Sequence, residues 1–108
     1  MTVASLLEHG FIPLNISDGE REIDGVYIGD LLSWVMGRAE QDNAWVTIMS
    51  NINTLAVASL ADVSCIILAE GVELDNEVLC AAKEKQINVL AYKEPAYETA
   101  VKLSALLS

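Results

Sequence analysis

The chain has 108 residues, enough for one domain with a single core, and its 53% apolar content excludes a disordered chain. Six Lys and Arg stand against sixteen Asp and Glu, which gives a formal net charge of −10. This balance argues against nucleic acid and anionic membrane surfaces as partners, because both require a clustered basic surface.

The first quarter of the chain predicts a short helix, an edge strand and a charged turn. Val3–Glu8 is expected to be helical and to stop at His9-Gly10, as at a glycine cap. Phe11–Asn15 predicts a short strand, and its Pro13 suits an edge position. The charged segment Ser17–Glu22 predicts the turn that follows.

The middle of the chain predicts two strand–helix units. The strand Gly25–Ile28 is expected to lead into a helix that opens at Gly29-Asp30 and runs to about Ala39. The strand Trp45–Met49 precedes a second helix, Thr54–Ala61, for which Asn53 is the predicted N-cap.

The last part of the chain repeats this alternation. Ser64–Ala69 is the most apolar predicted strand, and Asp75 is the predicted cap of a helix that ends near Gln86. Asn88–Tyr92 predicts the last strand, and Pro95 suits the start of a terminal helix. Short apolar strands alternating with helices indicate a sheet covered on both faces. Residues 1–108 are therefore expected to form one α/β domain with a mainly parallel sheet of about five short strands.

Residues Ala44–Ala61 contain no charge, a length that invites comparison with a membrane span. Polar side chains at Ser50, Asn51, Asn53 and Thr54 would then lie at mid-bilayer, where they are costly. A buried strand, a polar loop and a buried helix is the better interpretation, and no membrane contact is expected.

Few residue patterns in this chain indicate catalysis. No P-loop and no dinucleotide-binding fingerprint is present, and the single His9 has no evident nucleophile beside it. Cys65, in a predicted central strand, is expected to be a small buried hydrophobic residue, and its spacing from Cys80 matches neither a zinc nor a redox motif. With no secretory signal in Met1–Gly10, we expect a cytoplasmic protein with free thiols, no catalytic residue, no metal and no cofactor.

Polar residues follow three predicted strands, where open α/β sheets usually bind ligands. The candidate ligand-binding residues are Asp30, Ser50, Asn51, Asn53, Thr54, Glu70 and Gly71. The unpaired amides at the start of the second helix would attract a small anion. The same asparagines would also serve to cap that helix, and this alternative remains open.

The helix Gly29–Ala39 has an unusually wide apolar face. Its large apolar residues cover an arc of roughly 200° on a helical wheel, whereas a core-facing stripe needs only about 100°. The remaining arc holds the small residues Gly29, Ser33 and Gly37. The uncharged helix Thr54–Ala61 would also expose apolar residues in a monomer. Since exposed apolar patches of this size usually mark an interface, we expect a homodimer. The candidate interface residues are Leu31, Ser33, Trp34, Val35 and Gly37.

Several segments together resemble the DRTGG domain, a small α/β module. They are Asp24–Asp30 (DGVYIGD), Ala44–Asn53 (AWVTIMSNIN), Ala56–Leu60 (AVASL), Cys65–Gly71 (CIILAEG), Asn76–Leu90 and Ala96-Tyr97. Gly29–Ala39 is similar to a stand-alone, single-domain subgroup, related to the amino-terminal region of HPr kinase/phosphorylase-like proteins. The pentapeptide Asp-Arg-Thr-Gly-Gly itself is absent.

The resemblance implies a non-catalytic regulatory or assembly module that is commonly dimeric. The leading hypothesis is therefore a homodimer that binds a partner protein or a small ligand. The alternative is a sensor of an adenine nucleotide or another phosphate-bearing metabolite, which would bind at the Met49–Thr54 loop.

Overall fold

Five short strands form one sheet in the computed structural model, which describes residues 1–108. The strands are β1 (Ile12–Asn15), β2 (Val26–Ile28), β3 (Ala44–Thr47), β4 (Cys65–Leu68) and β5 (Val89–Ala91). Their spatial order is β1-β5-β4-β3-β2. The strands β2 to β5 are parallel, and β1 alone runs antiparallel, beside β5. The predicted α/β class and mainly parallel sheet are confirmed, as is the edge position of Pro13.

Helices cover both faces of this sheet. They are a 3₁₀ helix (Ala4–His9), α1 (Leu32–Arg38), α2 (Ile52–Ala61), α3 (Asn76–Lys85), a single 3₁₀ turn (Ala69–Gly71) and α4 (Ala96–Leu107). One core lies between the sheet and α1, α2 and α3, around the fully buried Trp45. The other lies between the sheet and α4 with the first 3₁₀ helix, around Ile67 and Leu103. Alternate strand residues enter opposite cores because successive side chains point to opposite faces.

The helix α1 starts later than predicted. The Gly29 N–H donates to the Val46 carbonyl at 3.1 Å, which continues the β2–β3 ladder past Ile28. The next residue, Asp30, turns its carboxylate toward β3. Gly29 therefore adds one hydrogen bond to the ladder, and Asp30 lies in a bend between β2 and α1, so neither residue opens the helix.

The N-cap of α2 is Asn51, so the prediction of Asn53 is wrong. Asn51 has an extended backbone, and its side chain accepts a hydrogen bond from the Thr54 N–H at 3.1 Å. The helix thus begins two residues earlier than expected, and β3 likewise ends two residues earlier, at Thr47 instead of Met49. In α3 the predicted cap is confirmed, since the Asp75 carboxylate accepts from the Val78 N–H at 2.9 Å.

A buried polar side chain fixes the charged turn that follows β1. The Asn88 Oδ1 accepts from the N–H groups of Ser17 and Asp18 at 2.8 and 2.9 Å, and its Nδ2 donates to the Ser64 carbonyl at 3.0 Å. Arg21 in the same turn donates to Asp42 and to Asp62, each at 2.9 Å. Burial acts to lower the Arg21 pKa, but these carboxylates outweigh it and raise the pKa. None of the helices combines the length and apolar character that crossing a membrane requires.

Candidate functional site

The carboxyl ends of β2 to β5 meet at one edge of the sheet, which we call the carboxyl edge. In the parallel register, Ile28 lies beside Val46, and Thr47 lies beside Leu68. The segments that follow these strands therefore lie side by side, which is where open α/β sheets place ligands. All seven candidate ligand-binding residues lie in these segments.

Asp30 joins the end of β2 to the end of β3. Its Oδ1 accepts a hydrogen bond from the Thr47 Oγ1 at 2.7 Å and another from the Ile48 N–H at 3.0 Å. Thr47 is buried, whereas Asp30 is exposed. Since α1 begins two residues after Asp30, this carboxylate holds the entry to α1 against β3.

The polar residues of the loop between β3 and α2 fall into two groups, those that cap α2 and those that do not. The Asn51 Oδ1 accepts from the N–H of Thr54 and from its Oγ1, so both side chains serve the cap. Ser50 is half-buried, and Asn53 is exposed in the first turn of α2. The capping alternative thus accounts for Asn51 and Thr54, and leaves Ser50 and Asn53 without that explanation.

Glu70 and Gly71 belong to a different part of the carboxyl edge. Both have left-handed backbones, with φ of 61° and 68°. Their N–H groups donate to the carbonyls of Glu94 and Tyr92, at 2.8 and 2.9 Å. The structure therefore brings Asp30 together with the start of the β3–α2 loop, and ties Glu70 and Gly71 to the segment after β5.

Neither cavity of the molecule is lined by a candidate ligand-binding residue. A groove of about 470 Å³ lies between β2 and α4. A smaller polar cleft of about 140 Å³ lies at the opposite end of the strands, beside Arg21 and the last turns of α2 and α3. The carboxyl edge therefore offers an open surface rather than an enclosed pocket.

The outer face of α1 is apolar and solvent-exposed. Leu31 is 57% exposed and Trp34 is 53% exposed. The Arg38 guanidinium lies 3.8 Å from the Trp34 ring centroid, which places a cation over one face of the indole. Ser33 is also exposed, and a Cβ added at Gly37 would meet no atom within 4 Å.

Val35, the remaining candidate interface residue, is fully buried in the core beneath α1. The helix therefore has its own packing face as well as an open face. On the neighbouring α2, Leu60 is 73% exposed, so that uncharged helix is only partly covered too.

The two cysteines have opposite environments. Both are free; Cys65 is buried in β4 and Cys80 is exposed on α3. Burial raises the pKa of the Cys65 thiol to about 12, so that it carries no thiolate near neutral pH. The prediction of Cys65 as a small buried hydrophobic residue is confirmed. No group of three or more His, Cys, Asp and Glu side chains is placed to hold a metal ion.

Sequence reasoning did not identify Thr47 as the partner of Asp30. The available signal was a hydroxyl at the end of a buried strand, next to the strand that Asp30 follows. No motif marked the groove, since its two walls come from β2 and α4, which are far apart in the chain.

A family model described as the DRTGG domain matches residues 16–106. A solved structure with a similar fold is the crystal structure of the CBS and DRTGG domains of the regulatory region of Clostridium perfringens pyrophosphatase, complexed with the activator diadenosine tetraphosphate. The TM-score is 0.68 at 17% sequence identity, and the match covers 93% of this chain but 44% of that one. This chain therefore spans less than half the length of that structure. A search of curated proteins finds no match.

Proposed function

Because the chain belongs to the DRTGG domain family, we propose that it is a non-catalytic regulatory module, which works as a homodimer and binds a small ligand or a partner protein. One observation carries the proposal. An exposed carboxylate, Asp30, holds the entry of a short helix whose outer face is apolar. A ligand-accessible group and a self-association surface thus lie within a few residues of each other.

The environments of Cys65 and His9 support a non-catalytic role. Cys65 is buried with a raised thiol pKa, so it does not act as a nucleophile near neutral pH. His9 ends the first 3₁₀ helix, on the face of the sheet opposite α1. These two residues therefore favour a binding function over a catalytic one.

The charge distribution supports a second copy as the partner of α1. Two chains with a net charge of −10 repel each other, so a stable contact between them needs a face without carboxylates. Residues 31–38 (LLSWVMGR) contain no acidic residue. Leu31, Ser33, Trp34 and Gly37 form the open part of this segment and are the proposed contact, whereas the buried Val35 supports it from below.

Asp30 provides the proposed link between ligand binding and association. A ligand with an N–H or O–H donor would compete with Thr47 and Ile48 for the Asp30 carboxylate. Because α1 has no side-chain N-cap of its own, its entry depends on this contact. A ligand that changes the contact would shift α1 and with it the dimer surface.

A second candidate function is a sensor of an adenine nucleotide or another phosphate-bearing metabolite at the Met49–Thr54 loop. The first turn of α2 has no acidic residue, and Asn53 is exposed there, which favours an anion. The pyrophosphatase regulatory region of similar fold is complexed with an adenine dinucleotide. The nearby carboxylate of Asp30 would oppose a phosphate, so this function ranks second.

Thermal-shift measurements with adenine nucleotides, diadenosine tetraphosphate and uncharged or cationic amide-bearing metabolites separate these functions. Ligand at about 100 times its Kd stabilises the folded state by about 2.7 kcal/mol, which raises the melting temperature by roughly ten degrees. A ligand that uses Asp30 should lose its shift in Asp30→Asn and keep it in the control Asp24→Asn. A phosphate ligand should instead bind Asp30→Asn at least as well and be lost in Asn53→Asp. No shift with any compound at millimolar concentration would contradict small-ligand binding.

A further inference from the structure

The outer edge of β2 and the groove beside it form a surface that is separate from the open face of α1 and meets the proposed ligand site only at Asp30. The groove is lined by both the strand and the terminal helix: Gly25, Val26, Ile28, Ala100, Ser104, Leu107 and Ser108. Glycine contributes only backbone to the lining. At about 470 Å³, the groove has room for more than one side chain.

Backbone groups of β2 point toward this surface. The Gly25 carbonyl accepts from the Ala44 N–H at 3.0 Å, and the Gly29 N–H donates to the Val46 carbonyl at 3.1 Å. In a parallel ladder, alternate residues bond to the same neighbour. Val26 and Ile28 therefore direct their N–H and C=O groups away from β3, and β2 is the last strand of the sheet.

The two edges of the sheet differ in how they are protected. The β1 edge has Pro13 and an irregular register between Pro13 and Asn15, two features that block pairing with another strand. The β2 edge runs from Gly25 to Gly29 without a proline, a bulge or a charge. Since exposed strand edges are normally blocked, an open edge beside a groove indicates a binding surface.

The acidic residues near this edge favour one kind of incoming strand. Asp24 and Asp30 lie at the two ends of the uncharged segment, and both are exposed. If a second copy paired its β2 antiparallel about Tyr27, Asp24 would lie opposite the second Asp30, and like charges placed opposite each other are destabilising. An incoming strand with lysine or arginine at its ends would meet these carboxylates favourably.

We propose that the β2 edge binds an extended segment of a partner protein as a sixth strand. Backbone groups of Val26 and Ile28 pair with it, alternate apolar side chains enter the groove against Leu107, and basic residues at its ends face Asp24 and Asp30. This mode is β-strand addition, in which the backbone supplies affinity and the groove supplies selectivity. The inference rests on the proposed role as a binding module and names the partner's chemistry.

A display library of random nine-residue peptides, selected on the full chain, tests this. The enriched peptides should alternate apolar residues and carry lysine or arginine near their ends. A synthetic copy should slow amide hydrogen exchange at Val26 and Ile28. Its affinity should fall at least tenfold in Ser104→Trp, which fills the groove from an exposed position, and stay unchanged in Ala105→Trp, an exposed neighbour outside the groove.

No enrichment, enriched peptides without basic ends, or binding that leaves the exchange of Val26 and Ile28 unchanged would each overturn the inference. The exchange measurement uses the unmodified chain, so it decides the question even if Ser104→Trp does not fold. If the chain is dimeric or binds a metabolite but the selection fails, only this inference fails. If the peptide site works in a chain that is monomeric and binds no metabolite, only those parts of the proposed function fail.

Discussion

Asp30 and Asn51 are both polar residues placed shortly after a strand, but their side chains have different hydrogen-bond partners. The Asp30 carboxylate bonds to the next strand and remains exposed, whereas the Asn51 side chain is used by the helix that follows it. The sequence predicts both as polar residues of the carboxyl edge. It does not distinguish Asn51 from Asn53 as the cap, because asparagine suits that position equally at either place. The backbone separates them, since Asn51 is extended, as an N-cap residue is, whereas Asn53 lies inside α2.

If Asn51 is the N-cap, two neighbouring substitutions should lower the free energy of unfolding by different amounts. Asn51→Ala removes the side-chain acceptor of the Thr54 N–H and should lower the free energy of unfolding by about 1 kcal/mol. Asn53→Ala changes an exposed residue in the first turn and should stay within about 0.5 kcal/mol of the unmodified chain. Urea denaturation of both variants measures this. Equal costs, or a larger cost at Asn53, would contradict the assignment.

Among the elements, α1 is the one whose stability depends most on its surroundings. With seven residues it is too short to be stable alone, and it has no side-chain N-cap. Val35 anchors it to the core, while Trp34 and Leu31 remain more than half exposed. The sequence predicted this helix and its wide apolar arc. It did not predict which part of the arc is buried, since that depends on how α1 packs against the sheet and α2.

A substitution at Gly37 tests whether another chain packs against α1. A Cβ at this position meets nothing within the chain, so Gly37→Ala should stabilise the isolated chain by about 0.5 to 1 kcal/mol. In a dimer with closely approaching helices, the added methyl should cost about 1 to 3 kcal/mol of association, a roughly 5- to 150-fold weaker dimer. Denaturation at low concentration and sedimentation at high concentration measure the two effects separately. A variant that is more stable at every concentration and associates normally would contradict contact at Gly37.

At the scale of the whole molecule, the fold was more predictable than the surfaces. Short apolar strands alternating with helices were sufficient for the class and the parallel sheet, and Pro13 was sufficient for the edge position of β1. The pairing of β1 with β5 depends on contacts distant in sequence, such as the hydrogen bonds of Asn88 to the turn at Ser17. The groove was unpredictable for a similar reason, because Ser104 and Gly25 lie far apart in the chain. Surfaces of this kind arise from packing and leave no local pattern.

The distribution of charge over the whole molecule supports the proposed dimer, in which α1 joins two copies. Residues 31–38 contain no acidic residue, and Leu31 and Trp34 are more than half exposed there, so two like-charged chains can meet at this face. Sedimentation velocity at tens of micromolar tests this most directly. We expect a dimer of the 11.7 kDa chain that becomes monomeric in Trp34→Glu and remains dimeric in Tyr97→Glu, a matched change at an exposed aromatic residue on α4. A monomeric unmodified chain, or a dimer that Trp34→Glu leaves intact, would contradict it.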